Sequence, residues 1–106
     1  MRFKFLVYCP DDEKVIKKII DAASKKGAGV YGNYSHVAFI THGEGNWKSE
    51  KGAKPFQGQV GETTRELVAK IEMPCPAKMA KPIAQAIRKV HPWEKVDIEF
   101  IRLEEI

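Results

Sequence analysis

The sequence predicts a ferredoxin-like plait, in which a four-stranded antiparallel sheet carries two helices on one face. Two observations predict this α+β fold. Apolar residues alternate with polar ones in four segments and recur at helical spacing in two others. These segments follow one another as strand, helix, strand, strand, helix, strand. With 106 residues, the chain is predicted to form a single domain over residues 1–106.

The first strand and the first helix are predicted near the N-terminus. Apolar residues at alternate positions indicate a strand that ends at Pro10. Either Asp11 or Asp12 is expected to cap a helix over residues 12–26, because a carboxylate accepts hydrogen bonds from the free N–H groups of a first turn. Apolar residues occupy one arc of this helix and lysines the opposite arc. Gly27 suits the left-handed conformation in which helices end.

The remaining predicted elements are two strands, a helix and a final strand. We predict strands over residues 35–41 and 64–73, a helix over residues 77–90, and a strand over residues 96–103. Pro82 removes a helical hydrogen bond and clashes with the preceding turn. The second helix is therefore expected to start late or to bend.

Some apolar side chains of the strands are left over once the helix-facing core is filled. If the register is right, they form an outward strip on the open face of the sheet. The strip comprises Leu6, Tyr8, Val68, Ile98 and Phe100. An exposed apolar face calls for a partner, so self-association is expected.

The composition excludes several classes of protein. The chain has 43% hydrophobic and 30% charged residues, and no apolar run approaches the roughly 20 residues of a membrane helix. We therefore expect no membrane partner. The N-terminal residues lack the apolar core of a signal peptide, which favours a cytoplasmic location. Cys9 and Cys75 lie far apart and form no CxxC pair, so packed, reduced thiols are expected.

The net charge of +4 raises the question of nucleic acid binding. The lysines of the first helix form a solvated face. Aromatic residues are not interleaved with them, and no recognition motif is present. We therefore do not expect nucleic acid as a partner.

Residues 27–36, GAGVYGNYSH, combine three glycines with polar and aromatic side chains. The glycines are explained by a helix end and a turn. Asn33, Tyr34 and His36 form a candidate cluster for which two interpretations stay open. They stabilise the turn through local hydrogen bonds, or they contact a ligand or another subunit.

The connection between the second and third strands is unusually long. Residues 43–61 contain five glycines, whereas hairpin loops ordinarily take about 2 to 5 residues. The glycines lack the spacing of a phosphate-binding loop. Trp47, Lys48 and Phe56 are therefore candidate contact residues of a recognition loop. Equally, the aromatic side chains would pack the segment down as an Ω-type loop.

A candidate metal or ligand site is predicted where this hairpin meets the end of the second helix. The plait topology brings together His42, Glu44, Glu62, His91 and Glu94. Imidazoles and carboxylates suit zinc or a similar divalent ion, and an anionic small molecule is the other possible ligand. In the alternative interpretation, His91 bonds to the last helix carbonyls and Pro92 ends the helix, while Trp93 packs under the hairpin and Glu94 pairs with a lysine. No nucleophile motif is present, so no catalytic residue is predicted.

Four ordered motifs resemble a known family. The segments GNYSHVAF, GEGNW, GAKPFQGQVGE and HPWE are similar to the signature of the small domain inserted in many NIF-three-like (YqfO-type) proteins. The resemblance covers nearly the whole chain, and it implies the fold of the trimeric PII signalling proteins and of the CutA proteins. Trp47 and Trp93 stand where smaller aromatic residues are common in that family.

The resemblance implies a stand-alone version of this domain that forms a homo-oligomer, with a trimer favoured over a dimer, and a long hairpin that reaches a protein partner. It does not carry over the dinuclear metal site or any hydrolase-like activity, because this chain has no counterpart of the family's metal-binding domain. We therefore expect a regulatory module that senses a ligand or a metal such as zinc, without catalysis. The alternatives are an oligomerisation or protein-interaction domain without a small-molecule ligand and, third, a metal-dependent hydrolase-related protein.

Overall fold

The computed structural model describes residues 1–106 and contains the predicted elements in the predicted order. The elements are β1 (Arg2–Pro10), α1 (Glu13–Lys25), β2 (Phe39–Lys48), β3 (Thr63–Pro76), a 3₁₀ turn (Ala77–Met79), α2 (Ala80–Val90) and β4 (Ile98–Arg102). All strand pairs are antiparallel, and the sheet order is β2-β3-β1-β4. The ferredoxin-like plait is confirmed, although β2 begins later and β4 is shorter than predicted. None of the helices is both long and apolar enough to cross a membrane.

One hydrophobic core lies between the sheet and the two helices. Alternate residues of β1 and β3 face this core, because successive side chains of a strand point to opposite faces. Phe5, for example, pairs with Met73, and both are fully buried. The helices contribute the buried residues Ile16, Ile19, Ala23, Ile83, Ala84 and Ile87. Cys9 and Cys75 are buried free thiols, and burial raises the pKa of Cys9 to about 12.

The other face of the sheet carries no helix. Three residues of the predicted outward strip lie on it: Leu6, Tyr8 and Val68. The prediction was wrong for Ile98 and Phe100. Phe100 pairs with Phe5 and therefore shares its core-facing side, as does Ile98 two positions earlier. The neighbouring Ile101 points outward instead, with half of its surface exposed.

The two helices begin as local sequence chemistry dictates. Asp12 is the N-cap of α1, where its carboxylate accepts hydrogen bonds from the N–H groups of Lys14 at 2.8 Å and Val15 at 3.2 Å. Gly27 follows the end of this helix with a φ of +101°, as its position predicted. The 3₁₀ turn delays the start of α2, so Pro82 falls in the first turn, where its missing N–H is tolerated.

The hairpin of β2 and β3 is longer than predicted, and its connection is shorter. Strand β2 continues through Lys48, so the connection to β3 comprises residues 49–62 rather than 43–61. Gly45 explains the difference. A Cβ at this position would lie 2.6 Å from Cγ2 of Val68, so the glycine admits a close approach inside the sheet instead of breaking the strand.

The 27–36 segment forms a small excursion before β2. Gly29 ties its base to the sheet, because its N–H donates to a carbonyl of β3 at 2.7 Å and its carbonyl accepts from Val37 at 2.9 Å. At the tip, Tyr31 and Tyr34 exchange two backbone hydrogen bonds of 2.9 and 2.8 Å. The excursion is thus a backbone-bonded turn with exposed tyrosines.

Replacing Gly29 by alanine is expected to destabilise the fold strongly. Gly29 has a φ of +77°, and a Cβ there would lie 2.8 Å from both Met73 Cε and Val37 N. Backbone strain and the clash add, so Gly29→Ala should lower the free energy of unfolding by more than about 2 kcal/mol.

Gly27→Ala is the matched control for this prediction. Gly27 also has a positive φ, but no atom lies within 4 Å of its Cβ position. This variant should cost only about 1 kcal/mol, from backbone strain alone. Urea unfolding measures both variants, and equal losses would contradict the steric part of the argument.

Candidate functional site

The two tryptophans of the chain lie against each other at one end of the sheet. Trp47 is near the end of β2 and points to the open face, while Trp93 lies in the segment between α2 and β4. Their ring centroids are 5.9 Å apart, and the ring planes meet at 56°. Tilted aromatic pairs of this kind add to the energy of burial. The pair therefore joins two parts of the chain that are distant in sequence.

His91 holds Trp93 in place. The imidazole is buried, and its Nε2 lies 2.8 Å from the carbonyl oxygen of Tyr8. The backbone N–H of Trp93 donates to Nδ1 at 3.1 Å. Nδ1 must therefore be unprotonated, and Nε2–H is the donor to Tyr8. The imidazole thus links β1 to the segment that carries Trp93.

The connection of residues 49–62 folds back onto the same segment. The backbone N–H of Lys54 donates to Glu94 Oε1 at 2.9 Å, and the indole N–H of Trp93 donates to Gln57 Oε1 at 3.3 Å. Ser49 is buried at the base of the connection, where its carbonyl accepts a hydrogen bond from Gly61. The long connection is therefore a packed loop with its own hydrogen bonds to Trp93 and Glu94.

A cleft of about 370 Å³ lies between this loop and the Trp93 segment. The cleft is lined by the rings of Trp47, Trp93 and Phe56 and by several charged residues. The lining comprises Trp47, Lys48, Ser49, Glu50, Ala53, Pro55, Phe56, Gln57, Trp93, Glu94 and Lys95. Concave sites of this size with aromatic walls and a few polar groups are typical of small-molecule binding.

A second hollow of about 430 Å³ shares both tryptophans and opens onto the helix-free face of the sheet. Tyr8, Val68 and Lys70 line it, together with the glycine-rich part of β2. Gly43 and Gly45 leave this part of the face without side chains. The tryptophan pair thus borders two concave surfaces.

The predicted metal-ligand set is not assembled in the structure. No three His, Cys, Asp or Glu side chains lie together where they could hold a metal ion. Both ring nitrogens of His91 are occupied by hydrogen bonds. His42 Nδ1 lies 2.9 Å from Asp11 Oδ1, and Glu94 binds a backbone N–H of the loop. Glu44 lines the second hollow, whereas Glu62 is an exposed residue of the connection.

The second candidate cluster lies on the 27–36 excursion. Asn33 occupies the turn between the two bonded tyrosines, and Tyr34 is 75% exposed. His36 adopts a φ of +59° and lies beside Ser35, with 2.9 Å between Oγ and Nδ1. Its Nε2 is 3.7 Å from Asp21 Oδ1. These contacts favour the turn-stabilising interpretation and leave the exposed tyrosine ring as a surface feature.

The candidate recognition residues Trp47, Lys48 and Phe56 all line the cleft. Sequence reasoning grouped them as loop residues and, in one of its interpretations, placed Trp93 under the same hairpin, but it missed the contribution of Gln57. The sequence does contain a signal that the two tryptophans meet, since both belong to motifs that the topology brings together. Glu50 and Lys95 carried no signal, because isolated charges are common on any surface.

Sequence relatives match this chain over nearly its whole length. It is 35% identical over 102 residues to the GTP cyclohydrolase 1 type 2 homolog of Bacillus subtilis, which covers 96% of this chain and 27% of that protein. The corresponding protein of Mycobacterium tuberculosis is 29% identical over 100 residues, or 94% of this chain and 26% of that one. The chain thus spans about a quarter of the length of these curated relatives. No protein-family model matches it.

Solved structures give a consistent picture. A Bacillus cereus protein related to NIF3 superposes with a TM-score of 0.81 at 27% identity, covering 98% of this chain and 26% of that one. CutA1 of a Shewanella species gives a TM-score of 0.72 at 14% identity, over 98% and 82% of the two chains. Bacillus subtilis GlnK gives 0.59 at 13% identity, over 94% and 84%.

The architecture and its structural neighbours define a fold class: the chain has the ferredoxin-like fold that is also seen in CutA1 and GlnK. Within this class, it corresponds to the domain that makes up about a quarter of the NIF3-related proteins, among them the GTP cyclohydrolase 1 type 2 homologs. The resemblance stated from the four motifs is confirmed.

The buried His91 is expected to make the fold less stable as the pH falls. Burial lowers its pKa from the ordinary value of 6.5, while the bond to the Tyr8 carbonyl opposes this shift in part. The unfolded chain therefore takes up a proton before the folded chain does. The stability that His91 contributes is present above about pH 6.5 and is lost as the pH falls through the lower folded pKa.

Urea unfolding between about pH 7.5 and pH 5 measures this loss. His91→Gln keeps a donor and an acceptor but does not titrate, so it should flatten the pH dependence. An equal pH dependence of the free energy of unfolding in the wild type and in His91→Gln would refute the assignment of this loss to His91.

Proposed function

We propose that this chain is a regulatory domain that binds a small organic ligand in the cleft between residues 49–62 and the Trp93 segment. The observation that carries the proposal is the convergence of both tryptophans and Phe56 on one cleft of about 370 Å³. The loop closes one side of this cleft through Lys54 and Gln57. Occupation of the cleft would therefore alter the loop, which is the surface that a partner protein would meet.

The proposed role is binding without catalysis. No histidine lines the cleft, and its one hydroxyl side chain is that of the buried Ser49. Both cysteines lie in the core. A hydrolase activity is not part of the proposal, because the chain corresponds to about a quarter of the relatives that bear the cyclohydrolase name. We favour an organic ligand over zinc, since His91 has no free nitrogen for a metal.

We also propose a cytoplasmic location for this role. Two buried thiols that are not joined in a disulfide fit a reducing compartment. The proposal is independent of the ligand.

Tryptophan fluorescence tests the proposed function directly, because both tryptophans of the chain line the cleft. We expect at least one metabolite of a chemically diverse library, supplied at millimolar concentration, to change the emission saturably. Phe56→Ala should then weaken its affinity about tenfold by removing one aromatic wall. Tyr34→Ala is the matched control, since Tyr34 is an exposed ring at the opposite end of the domain. A library without any saturable response would refute the proposal.

A second function, homo-oligomerisation, is favoured by the open face of the sheet. Tyr8, Phe39 and Ile101 lie there without a helix to cover them, and 47%, 67% and 50% of their surfaces are exposed. Apolar surface of this kind marks interfaces. We infer a homo-oligomer, with a trimer favoured over a dimer by the likeness to CutA and PII-like folds.

Sedimentation velocity tests this inference. The wild type should sediment as a multiple of the 12.0 kDa chain, and Ile101→Lys should shift it towards the monomer by placing a charge in the interface. Leu67→Lys is the control, because Leu67 is 62% exposed on the helix-facing side of β3. Only monomer in the wild type at tens of micromolar, or equal shifts in both variants, would contradict an interface on the open face.

A further inference from the structure

We propose that the ligand of the cleft carries a quaternary ammonium group. This inference rests on the proposed function and names the chemical class of its ligand. Three features point to it: the geometry of the aromatic walls, a carboxylate at the cleft that a backbone hydrogen bond holds in place, and the size of the cavity.

The aromatic walls form a corner rather than a slot. Trp47 and Trp93 meet at 56° with their centroids 5.9 Å apart, so a ligand group in this corner contacts two differently oriented indoles. Phe56 lines the cleft as a third ring. A parallel slot would suit a flat ring, whereas a corner suits a rounded group. The faces of aromatic rings attract cations placed within about 6 Å of the centroid, and indole does so best.

The fixed charge at the cleft is negative. Glu94 Oε1 accepts the Lys54 N–H at 2.9 Å, which holds the carboxylate in the wall. The five ion pairs of the chain do not include Glu94, so its charge is free to meet a ligand. An anionic ligand would have to approach this carboxylate, whereas a cation gains from it.

The lysines that line the cleft do not reverse this preference for a cationic ligand. The cleft is lined by two lysines, Lys48 and Lys95, and by a second carboxylate, that of Glu50, so the lysines are matched in number by carboxylates. Neither Lys48 nor Lys95 forms an ion pair or a side-chain hydrogen bond to the loop. Both lysines are exposed residues, and their ammonium groups sit on flexible four-carbon stems. The positive charges of Lys48 and Lys95 are thus mobile, whereas the negative charge of Glu94 is held in place by a hydrogen bond.

A methylated ammonium group also fits the cavity chemically. It has no N–H to satisfy, so it needs no hydrogen-bond acceptor from rings that offer none. The cleft of about 370 Å³ lies at the small end of ligand pockets. A small molecule with a compact, rounded cation at one end therefore fills the aromatic corner and places its charge beside Glu94.

Choline and its neutral isostere 3,3-dimethylbutan-1-ol separate charge recognition from simple apolar binding. The two molecules have nearly the same shape, and only choline is charged. Titration of the full chain by tryptophan fluorescence should show choline binding roughly tenfold more tightly than the isostere. Equal affinities, or no saturable response to choline, would overturn the inference.

Glu94→Gln supplies the matched variant. The glutamine oxygen still accepts the Lys54 N–H, so the wall is kept while its charge is removed. Choline affinity should fall several-fold in this variant, and the affinity of the neutral isostere should not change. Glu62→Gln removes a carboxylate that does not line the cleft and should leave choline binding unaltered. An unchanged choline affinity in Glu94→Gln, or an equal loss in both variants, would refute the role of the fixed charge.

Failure of this inference can be told apart from failure of the proposed function. If a metabolite of another class changes the fluorescence and is weakened by Phe56→Ala, while choline gives no response, the cleft is a ligand site of different chemistry and the ammonium inference is wrong. If no metabolite responds, both proposals fall.

Discussion

The cleft depends on one buried imidazole. His91 lies where α2 ends, and its two nitrogens bond in opposite directions, to β1 through Tyr8 and to the following turn through Trp93. Only the neutral ring in one tautomer can do both. Trp93 in turn contacts Trp47 and Gln57. The loop is therefore linked to β1 through three successive contacts: Tyr8 with His91, His91 with Trp93, and Trp93 with Gln57. A buried polar group with both partners satisfied specifies one arrangement, since every alternative leaves a partner unpaired.

Glycine has three separate uses in this small domain. At Gly27 it allows the helix to end in a left-handed conformation, and at Gly29 it allows the chain to pass against Met73 where no side chain fits. At Gly45 it has neither role. There it lies inside a strand and makes room for Val68, which is buried although it belongs to the open face of the sheet. Glycine thus occurs at the end of a helix, at a close approach between two segments, and within an uninterrupted strand.

Much of the fold could be predicted because its signals are local. Alternation along β1, the Asp12 cap and the late start of α2 at Pro82 each follow from a few neighbouring residues. The errors arose where a local signal has two meanings. Gly43 and Gly45 were interpreted as loop residues, because glycine is common in loops. Their place in a strand becomes evident only from the position of Val68 in the folded structure. Ile98 and Phe100 were placed on the wrong face because the register of β4 is set by its pairing with β1.

The position of the HPWE segment beside the hairpin was predictable, but the contacts that its side chains make there were not. Plait topology correctly brought HPWE next to the long hairpin. The type of site could not be deduced in the same way, because a histidine in a sequence does not reveal whether its nitrogens are free. In the structure, His91 serves as a positioning group, and Glu94 supports the loop through a backbone N–H. Metal ligands and structural hydrogen-bond partners are the same residue types, and only their surroundings distinguish them.

The β2–β3 hairpin extends past the helices, which contributes to a molecule 46 Å long and only 24 Å by 22 Å across. Leu67 is exposed there although it points to the helix-facing side, so this arm has little core beneath it. Its backbone bonds should open far more often than those around Phe5, because local opening is cheapest where few apolar contacts must be broken. A molecule bound between the arm and the Trp93 segment would suppress that opening. Slower hydrogen exchange along the arm would then report that the cleft is occupied.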